Sequence, residues 1–225
     1  MAPAREGIPI ILSFMAGHVL FLASALLAPP AGLPQPWLKS ACIALAVLFA
    51  VLSLFSLYFF RDPERPTPSG NNLVVCPADG KVLGIEQVDE PEFIGGPAEK
   101  LSIFMNVFDV HVNRAPLAGT VGYKNYRPGK FLNASLDKAS VDNEAMSLGI
   151  ESARHGKVLV RQIAGLIARR IVCRVETGDS LERGERFGLI RFGSRVEVFI
   201  SPGVEWKVKQ GDRVIAGETV LAEFR

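Results

Sequence analysis

Two long apolar segments dominate the N-terminal part of the chain. Residues 8–28 carry no formal charge, and residues 40–60 form a second stretch of the same kind. Each is long enough to cross a hydrocarbon layer of ~30 Å as a helix. The connection between them has prolines at positions 29, 30, 34 and 36 and is too short and too broken to be anything but a turn. The pattern predicts a membrane-associated helical hairpin over residues 1–60.

Two other interpretations of these segments stay open. A cleaved signal peptide would fit Arg5 and the small residues near Ala25 and Ala28, but it leaves the second apolar segment unexplained. A helical pair buried in a soluble domain needs only one apolar face on each helix, whereas both segments are apolar all round. Membrane association is therefore favoured, and whether the hairpin spans the bilayer or lies in one leaflet is left open.

The charges that flank the hairpin predict its orientation. Arg5 precedes the first segment, Arg61 and Arg65 follow the second, and Lys39 stands alone near the connecting turn. Since basic residues are enriched on the cytoplasmic side of membrane helices, both termini should face the cytoplasm. We expect the protein at the cell membrane with its larger domain on the cytoplasmic face.

Residues 61–225 follow a β pattern. Residues 61–72 read RDPERPTPSGNN, a polar, proline-rich linker, and apolar strand candidates follow at 73–88, 100–115, 156–175 and 187–200. The composition over these residues thus predicts a mainly β (α+β) domain.

An internal repeat divides this domain into related parts. The pattern G-D-x-φ-x-x-G-E, where φ is apolar, occurs at 178–185 and again at 211–218. Gly and Asp favour turns, and the apolar position between them favours an inward-facing strand residue. Two copies predict a pseudo-symmetric β-sandwich or flattened barrel that resembles lipoyl- and biotinyl-carrier domains. A carrier lysine on a tight turn between the halves is not evident.

Charge and cysteine usage exclude some classes of partner. Without Arg5, Lys39 and Glu6, the rest of the chain keeps 23 of the 25 basic and 22 of the 23 acidic residues and is nearly neutral. Nucleic-acid binding normally requires a concentrated basic excess, so we expect no nucleic acid as a partner. The three cysteines are widely spaced without a CxxC pair, so neither a disulfide nor a metal site is expected. They are Cys42, Cys76 and Cys173.

The Gly193-Ser194 pair interrupts the strand-like run FGLIRFGSRVEVFI. Glycine inside a strand usually marks a bulge or a close approach of the backbone. Taken alone, the pair is more simply a β-bulge with an exposed serine than a reactive site. Its serine is nevertheless a potential nucleophile.

Two further polar residues interrupt or follow apolar runs: Asp79 in CPADGKV and His111 in FDVHVNR. A histidine can take the proton of a serine hydroxyl, and an aspartate can orient that histidine. Asp79 also fits a structural Asx turn. His111 alternates with valines, so it lies on the outer face or in a cleft if the valines face the core, and is otherwise buried with a partner. His18 sits in the hairpin and His155 in a polar loop, which leaves His111 as the best candidate base.

Together these motifs resemble the phosphatidylserine decarboxylase proenzymes of the short prokaryotic kind. The resemblance runs nearly end to end, and the order and spacing of its motifs are highly specific. One departure from the longer family members is FGSR at the cleavage site, where those carry LGST. The motifs are FFRDPER, CPADGKV, FMNVFDVHVNRAP, YRPGKFLNASLDKASVDNE, QIAGLIARRIV and RFGSRVEVF.

The resemblance implies that the chain cuts itself between Gly193 and Ser194. Residues 1–193 would become a β chain, and residues 194–225 an α chain that begins with a pyruvoyl group made from Ser194. That group would form a Schiff base with phosphatidylserine and support its decarboxylation to phosphatidylethanolamine. His111 would serve as base in processing and as proton donor in decarboxylation, and Asp79 would hold it.

The resemblance also implies the partners: phosphatidylserine, membrane lipid, and the other fragment of the same chain in an α/β heterodimer, with a higher homo-oligomer left open. Basic residues near the site could hold the lipid phosphate, although each fits a solvated, ion-paired position equally well. The candidates are Arg114, Arg169 and Arg170. No role is assigned to Lys138, Asn143 or Glu144 in the same family-like blocks.

Two rival functions are kept beside this one. A membrane-bound serine hydrolase would keep its serine in an intact chain, usually within a GxSxG elbow, which the sequence lacks. A non-catalytic barrel module of the membrane-fusion or carrier type would need neither cleavage nor Ser194.

Overall fold

The chain forms two compact units, Met1–Pro63 and Glu64–Arg225. Their assignment as a membrane hairpin and a decarboxylase domain, with the predicted boundary after residue 60, stays a prediction. A computed structural model describes residues 3–27, 36–136, 138–166, 170–191 and 193–225.

The first unit is an antiparallel pair of apolar helices, α1 (Ile8–Leu27) and α2 (Pro36–Phe59), preceded by a short 3-10 turn. Both are long and apolar enough to cross a membrane. They approach closely because Gly17 leaves room for the ring of Phe49. Most of the predicted connecting turn lies outside the described residues.

The second unit is a β structure with its core between one large curled sheet and two small ones. The predicted mainly β fold behind an apolar helical hairpin is confirmed. A single helical turn, α3 (Ala139–Asp142), interrupts the strands. The strands are β1 (Leu73–Val75), β2 (Gly80–Glu90), β3 (Gly96–Met105), β4 (Val112–Arg114), β5 (Gly119–Arg127), β6 (Ala145–Ser152), β7 (Gly156–Ala164), β8 (Ile171–Cys173), β9 (Ser180–Leu181), β10 (Arg186–Ile190), β11 (Ser194–Ile200), β12 (Val204–Trp206), β13 (Arg213–Val214) and β14 (Val220–Phe224).

The large sheet has the strand order β13-β2-β3-β11-β7-β6-β5-β9, and its strands pair antiparallel. The small sheets are β1-β14-β12 and β4-β10-β8. Strand β11 lies near the middle of the large sheet, between β3 and β7, and all seven of its residues are buried. It is therefore the most enclosed strand of the domain.

The predicted pseudo-symmetry is visible in matching hydrogen bonds. The amide of Gly178 donates to the carbonyl of Val121 at 2.8 Å, and that of Gly211 to Val82 at 2.9 Å. Both glycines have positive φ, 99° and 94°, which is the left-handed region that glycine adopts without strain. The copy at 178–185 contains β9 and pairs with β5, whereas the copy at 211–218 contains β13 and pairs with β2.

Two reciprocal backbone hydrogen bonds also connect the two halves of the domain. The amide of Val75 donates to the carbonyl of Pro116, and the amide of Arg114 donates to the carbonyl of Pro77, both at 2.9 Å. These bonds relate residues 75–80 to residues 114–119 as equivalent segments. Asp79 is thereby the counterpart of Ala118 in the other half.

Two strand candidates are divided in the structure. The run at 100–115 ends as β3 at Met105 and resumes as β4 at Val112, because Asn106 and Asp109 close a turn between them. The run at 187–200 contains β10 and β11, which belong to different sheets. Gly193 thus lies at a junction between two strands, and the ladders of β11 show no bulge beside Ser194.

Candidate functional site

Ser194 is the first residue of β11 and is fully buried. It pairs with Met105 at the end of β3 and with Ala164 at the end of β7. Gly193 before it has φ +58°, a left-handed conformation that costs other L-residues roughly 1–2 kcal/mol. The glycine therefore lets the chain turn sharply into an enclosed strand with the serine at its start.

The Ser194 hydroxyl contacts the sulfur of Met105 at 3.4 Å. Sulfur is a weak acceptor, so this hydroxyl is not committed to a strong hydrogen bond there. Behind the sulfur, Asn113 Nδ2 lies 3.9 Å away, and Asn113 Oδ1 accepts from Gln162 Nε2 at 2.7 Å. The side chains of Asn113 and Gln162 thus form a buried, hydrogen-bonded polar pair on the core side of Ser194.

The carbonyl of Gly193 lies against Gly165, the residue directly after β7. A Cβ on Gly165 would overlap the carbonyl oxygen of Gly193 and would lie 3.3 Å from Cβ of Ala134. Only a residue without a side chain leaves that space. Gly165 and Ala134 therefore form a narrow slot for the carbonyl that self-cleavage would attack.

His111 lies in the loop between β3 and β4 and is only 2% exposed. Its Nδ1 is 2.9 Å from the backbone carbonyl of Asp109. Because a carbonyl can only accept, Nδ1 carries the hydrogen, and the neutral ring has its lone pair on Nε2. The His111 carbonyl accepts from the amide of Ile190, four residues before Ser194, which places the His111 loop beside the segment that leads into β11.

Asp79 lies in the turn before β2 and is bound tightly from the linker side. Both of its oxygens accept from the guanidinium of Arg65, Oδ2 at 2.8 Å from Nη2, and Oδ1 also accepts from the amide of Ala216 at 2.8 Å. The side chains of the pair are 7% and 14% exposed. Arg65, one of the basic residues from which the orientation of the hairpin is predicted, thus forms an ion pair within the second unit.

Asp79, His111 and Ser194 lie at the same end of the large sheet. Asp79 precedes Lys81, which pairs with Phe104, and Ser194 pairs with the next residue of β3, Met105. The backbone carbonyl of Asp109 orients the His111 ring. The carboxylate of Asp79 is bound to Arg65. A role of Asp79 in holding His111 therefore stays a prediction.

A buried charged cluster covers the other face of β11. Arg195 Nε is 3.0 Å from Glu197 Oε1, and Arg195 Nη2 donates to Ser102 Oγ at 2.8 Å. Glu197 also accepts from Ser140 of α3 at 2.5 Å and lies 3.9 Å from Arg161. Because Arg195 and Glu197 are almost completely buried, their mutual pairing fixes them firmly. The cluster anchors the residue that follows Ser194.

A cavity of about 270 Å³ opens beside Gly193. Its wall is mostly apolar and includes two asparagines. Exposed apolar side chains lie on the segments that form it: Phe108 (62% exposed), Leu136 (54%) and Leu166 (67%), called here the apolar rim. The cavity is lined by Phe104, Asn106, Val107, Asn133, Ala134, Leu166 and Gly193.

Arg114 and Arg170, two of the arginines predicted to hold a phosphate, are not among the described residues that line this cavity. Arg114 is 5% exposed and donates to the carbonyl of Gly184 at 2.9 Å, so it is buried in the repeat rather than presented to a ligand. Arg170 is exposed, and Arg169 lies outside the described residues. A phosphate-binding role for these three residues stays a prediction.

Of the residues without an assigned role, Asn143 has a clear structural one. Its amide donates to the carbonyls of Leu132 and Ala164, at 2.9 and 2.7 Å, and its Oδ1 accepts from the amide of Leu132. It thereby fastens the loop that carries Asn133 to the end of β7. Glu144 supports the same junction, since its carbonyl accepts from the amide of Ala164.

Several site residues were not found from the sequence, although some had a signal. The N-x-x-D spacing of Asn106 and Asp109 is typical of an Asx turn and could have divided the predicted strand there. Gly165 and Met105 gave no signal, because their importance comes from contacts with a strand distant in sequence.

The metal-ligating side chains and the surroundings of Ser194 bear on which cofactor the chain could hold. Within the described ranges, no group of three or more His, Cys, Asp and Glu side chains is placed to hold a metal ion. At Ser194, the hydroxyl lies 3.4 Å from the sulfur of Met105, and this thioether suits the apolar methyl that a pyruvoyl group would have there. The residues present therefore fit such a group.

Comparison with known proteins gives a consistent result. The family model described as phosphatidylserine decarboxylase matches residues 52–222. A protein from Symbiobacterium thermophilum named phosphatidylserine decarboxylase proenzyme is 53% identical over 98% of this chain and 95% of its own length. Proteins of the same name from Ruegeria pomeroyi and Nitratidesulfovibrio vulgaris are 56% and 54% identical over 77% and 80% of this chain, and 81% and 83% of their own lengths. The chain belongs to the phosphatidylserine decarboxylase family of enzymes.

The Arg65–Asp79 pair should stabilise the domain strongly, because loss of either partner leaves the other charge buried. We expect Arg65→Met and Asp79→Asn each to lower the free energy of unfolding by about 3 kcal/mol. A double-mutant cycle should give a coupling of about 1–3 kcal/mol. Urea unfolding in detergent, in a Ser194→Ala background that keeps one covalent chain, measures both.

The exposed pair Lys207–Glu205, 2.7 Å apart, is the control and should couple by less than about 1 kcal/mol. A coupling of Arg65 with Asp79 no larger than this control would show that the pair is not a structural anchor.

Proposed function

We propose that this chain decarboxylates phosphatidylserine to phosphatidylethanolamine, using a pyruvoyl group that it makes from Ser194 by cutting itself after Gly193. Membership of the family supports the overall reaction. The observation that carries the self-cleavage is the position of the pair: a left-handed glycine with its carbonyl in the Gly165 slot, followed by a buried serine at the start of β11.

The cleavage is an acyl shift followed by an elimination. Ser194 Oγ bonds to the Gly193 carbonyl carbon as the bond to the Ser194 nitrogen breaks, which leaves an ester and a free amine. Loss of the Ser194 Cα proton then breaks the Cβ–Oγ bond, and Gly193 departs as a carboxylate. The dehydroalanine at 194 tautomerises to an imine, and water replaces its nitrogen, which leaves as ammonia. The product is a ketone at the new N-terminus of residues 194–225.

His111 is the proposed base of the first step. Its Nδ1 donates to Asp109, so Nε2 is the nitrogen that can accept the Ser194 proton. No other histidine of the second unit fits, because His155 lies in the β6–β7 hairpin turn, at the opposite end of that hairpin from the Ala164–Ser194 pairing. The same ring is the proposed acid that protonates the substrate carbon after CO₂ has left.

Asp79 remains part of the proposed site, as the carboxylate that would hold His111. Its counterpart in the other half is Ala118, so the repeated turn does not itself require a carboxylate. That asymmetry supports a task beyond the fold. Arg65 and the Ala216 amide fix the position of the carboxylate.

When present, the pyruvoyl group supplies a ketone that can form a Schiff base with the substrate amine and withdraw electrons as CO₂ is lost. The chain's own contribution is to hold residue 194 still. Arg195 is anchored to Glu197 and Ser102, and β11 is paired on both sides, so the cut leaves the new terminus in place.

The two fragments are proposed to stay together as an α/β heterodimer, since residues 194–225 supply β11 to β14 to sheets built largely by residues 1–193. The two apolar helices support residence at the cell membrane, with the second unit on the cytoplasmic face. A lipid substrate held in the same bilayer reaches such an enzyme at high effective concentration.

Self-cleavage predicts two fragments that separate under denaturing conditions. The fragment 194–225 should be one ammonia lighter than the same peptide with a serine N-terminus, and it should resist Edman degradation unless aminated. Intact-mass spectrometry measures this directly. Ser194→Ala should migrate as one band and release no CO₂ from phosphatidylserine.

A mature wild-type protein that migrates as a single uncut chain would contradict the proposal. An uncut chain that still hydrolyses esters through Ser194 would instead favour the serine hydrolase.

His111→Ala should slow cleavage by about 10²- to 10⁴-fold, the usual contribution of a general base. The rate is measured from the appearance of the two fragments over time. His155→Ala is the matched control and should cut normally, because that ring stacks on Phe224 and contacts the carbonyl of Asn71. Cleavage of His111→Ala at the wild-type rate would remove His111 from this role.

Gly165→Ala should slow cleavage at least tenfold, because its methyl overlaps the Gly193 carbonyl oxygen. Hydroxylamine, which traps the ester, should release little fragment from this variant, since the first step is the one affected. Gly84→Ala is the control, because a Cβ there meets nothing within 4 Å.

Urea unfolding of Gly165→Ala in the Ser194→Ala background separates slow chemistry from poor folding. If the loss of stability alone accounts for the slow cleavage, the slot has no role in positioning the carbonyl.

A further inference from the structure

The cavity lies beside Gly193, which is the junction between β10 and β11 and the site of the proposed cleavage. Gly193 is part of its wall, so a molecule bound there lies next to residue 194. Its volume of about 270 Å³ is at the small end of ligand pockets, which usually measure about 300–1,000 Å³. The cavity suits a polar head group and is too small for a complete diacyl lipid.

Two asparagines give this apolar cavity its polar groups, and the orientation of each amide is fixed. Asn133 Oδ1 accepts from the amide and the hydroxyl of Ser135, at 3.1 and 3.0 Å. Asn106 Oδ1 accepts from the amide of Phe108 at 2.8 Å. Since both oxygens are engaged with donors, the NH₂ groups are the part of each side chain that can serve a ligand.

Neutral donors suit the reaction better than cations would. Among the residues that the structure describes, the side chains that line the cavity carry no formal charge. An arginine on the substrate carboxylate would stabilise the charged ground state, and only interactions that are stronger in the transition state accelerate the loss of CO₂. Amide donors can orient an anionic group while stabilising its charged ground state less than an arginine would.

We propose that this cavity is the binding site for the serine head group of phosphatidylserine, and that Asn133 and Asn106 donate hydrogen bonds to its anionic oxygens. The lipid's acyl chains would leave across the apolar rim. The inference rests on the proposed function, and it assigns two specificity-determining residues to that site.

The test measures KM and kcat on phosphatidylserine in mixed micelles, with self-cleaved full-length protein. Asn133→Asp keeps an oxygen for Ser135, removes the donor and adds a negative charge, so KM should rise about 10- to 100-fold, the usual worth of a hydrogen bond to a charged group, with little change in cleavage. Asn133→Ala and Asn106→Asp should raise KM in the same direction. Asn72→Asp, an exposed position at the start of β1, is the control for added charge and should leave KM unchanged.

Two soluble head-group analogues identify the contacted oxygens. Glycerophosphoserine carries carboxylate and phosphodiester, and glycerophosphoethanolamine carries the phosphodiester alone. If Asn133→Asp weakens inhibition by the first only, the contact is to the carboxylate; if it weakens both, the contact is to the phosphodiester.

An unchanged KM in all three variants, with inhibition by both analogues also unchanged, would overturn the assignment of the cavity. Failure of the proposed function has a different signature, because the wild-type chain would then release no CO₂ from phosphatidylserine.

Discussion

The two-sided pairing of β11 is the constraint on which the rest of the domain depends. From Ser194 to Ile200 the strand hydrogen-bonds to β3 and to β7 without irregularity. Its inner side chains fill the core, and its outer ones form the buried Arg195–Glu197 pair. A strand that is paired on both edges cannot shift along its own axis relative to its two neighbours. Because Ser194 begins it, this residue takes its fixed position from the backbone rather than from contacts of its own side chain.

The pseudo-symmetry explains how such an asymmetric site can be built on a simple scaffold. Equivalent turns, strands and glycines recur in the two halves, and they supply most of the hydrogen bonds that close the fold. The chemistry gathers where the halves differ. Asp79 stands where the other half has Ala118, and the Arg65 that binds it comes from the linker before the repeat begins. Both halves of the repeat therefore stabilise the fold, and the half that contains Asp79 differs from the other half at this position.

The sequence predicted what depends on local pattern. Helical hairpin, mainly β domain and repeat are confirmed, because apolar length and paired glycines determine them locally. The division of the two long strand candidates was missed, since apolar residues flank the turn at Asn106, and the Gly193-Ser194 pair fits a bulge within one strand equally well. The Gly165 slot, the Met105 contact and the Arg65–Asp79 pair depend on segments far apart in sequence, and no periodicity reports such contacts.

The location of the proposed cut would also determine how long the catalytic group lasts. A dissociable cofactor that is damaged can be exchanged for a fresh one. Residues 194–225 supply a strand held between two others, together with β12, β13 and β14, so this fragment cannot leave without unfolding the domain. A chain cut at Gly193 would therefore make its reactive group once. The supply of active enzyme in a cell would then follow the synthesis of new chains, and chemical damage at residue 194 would inactivate the whole molecule.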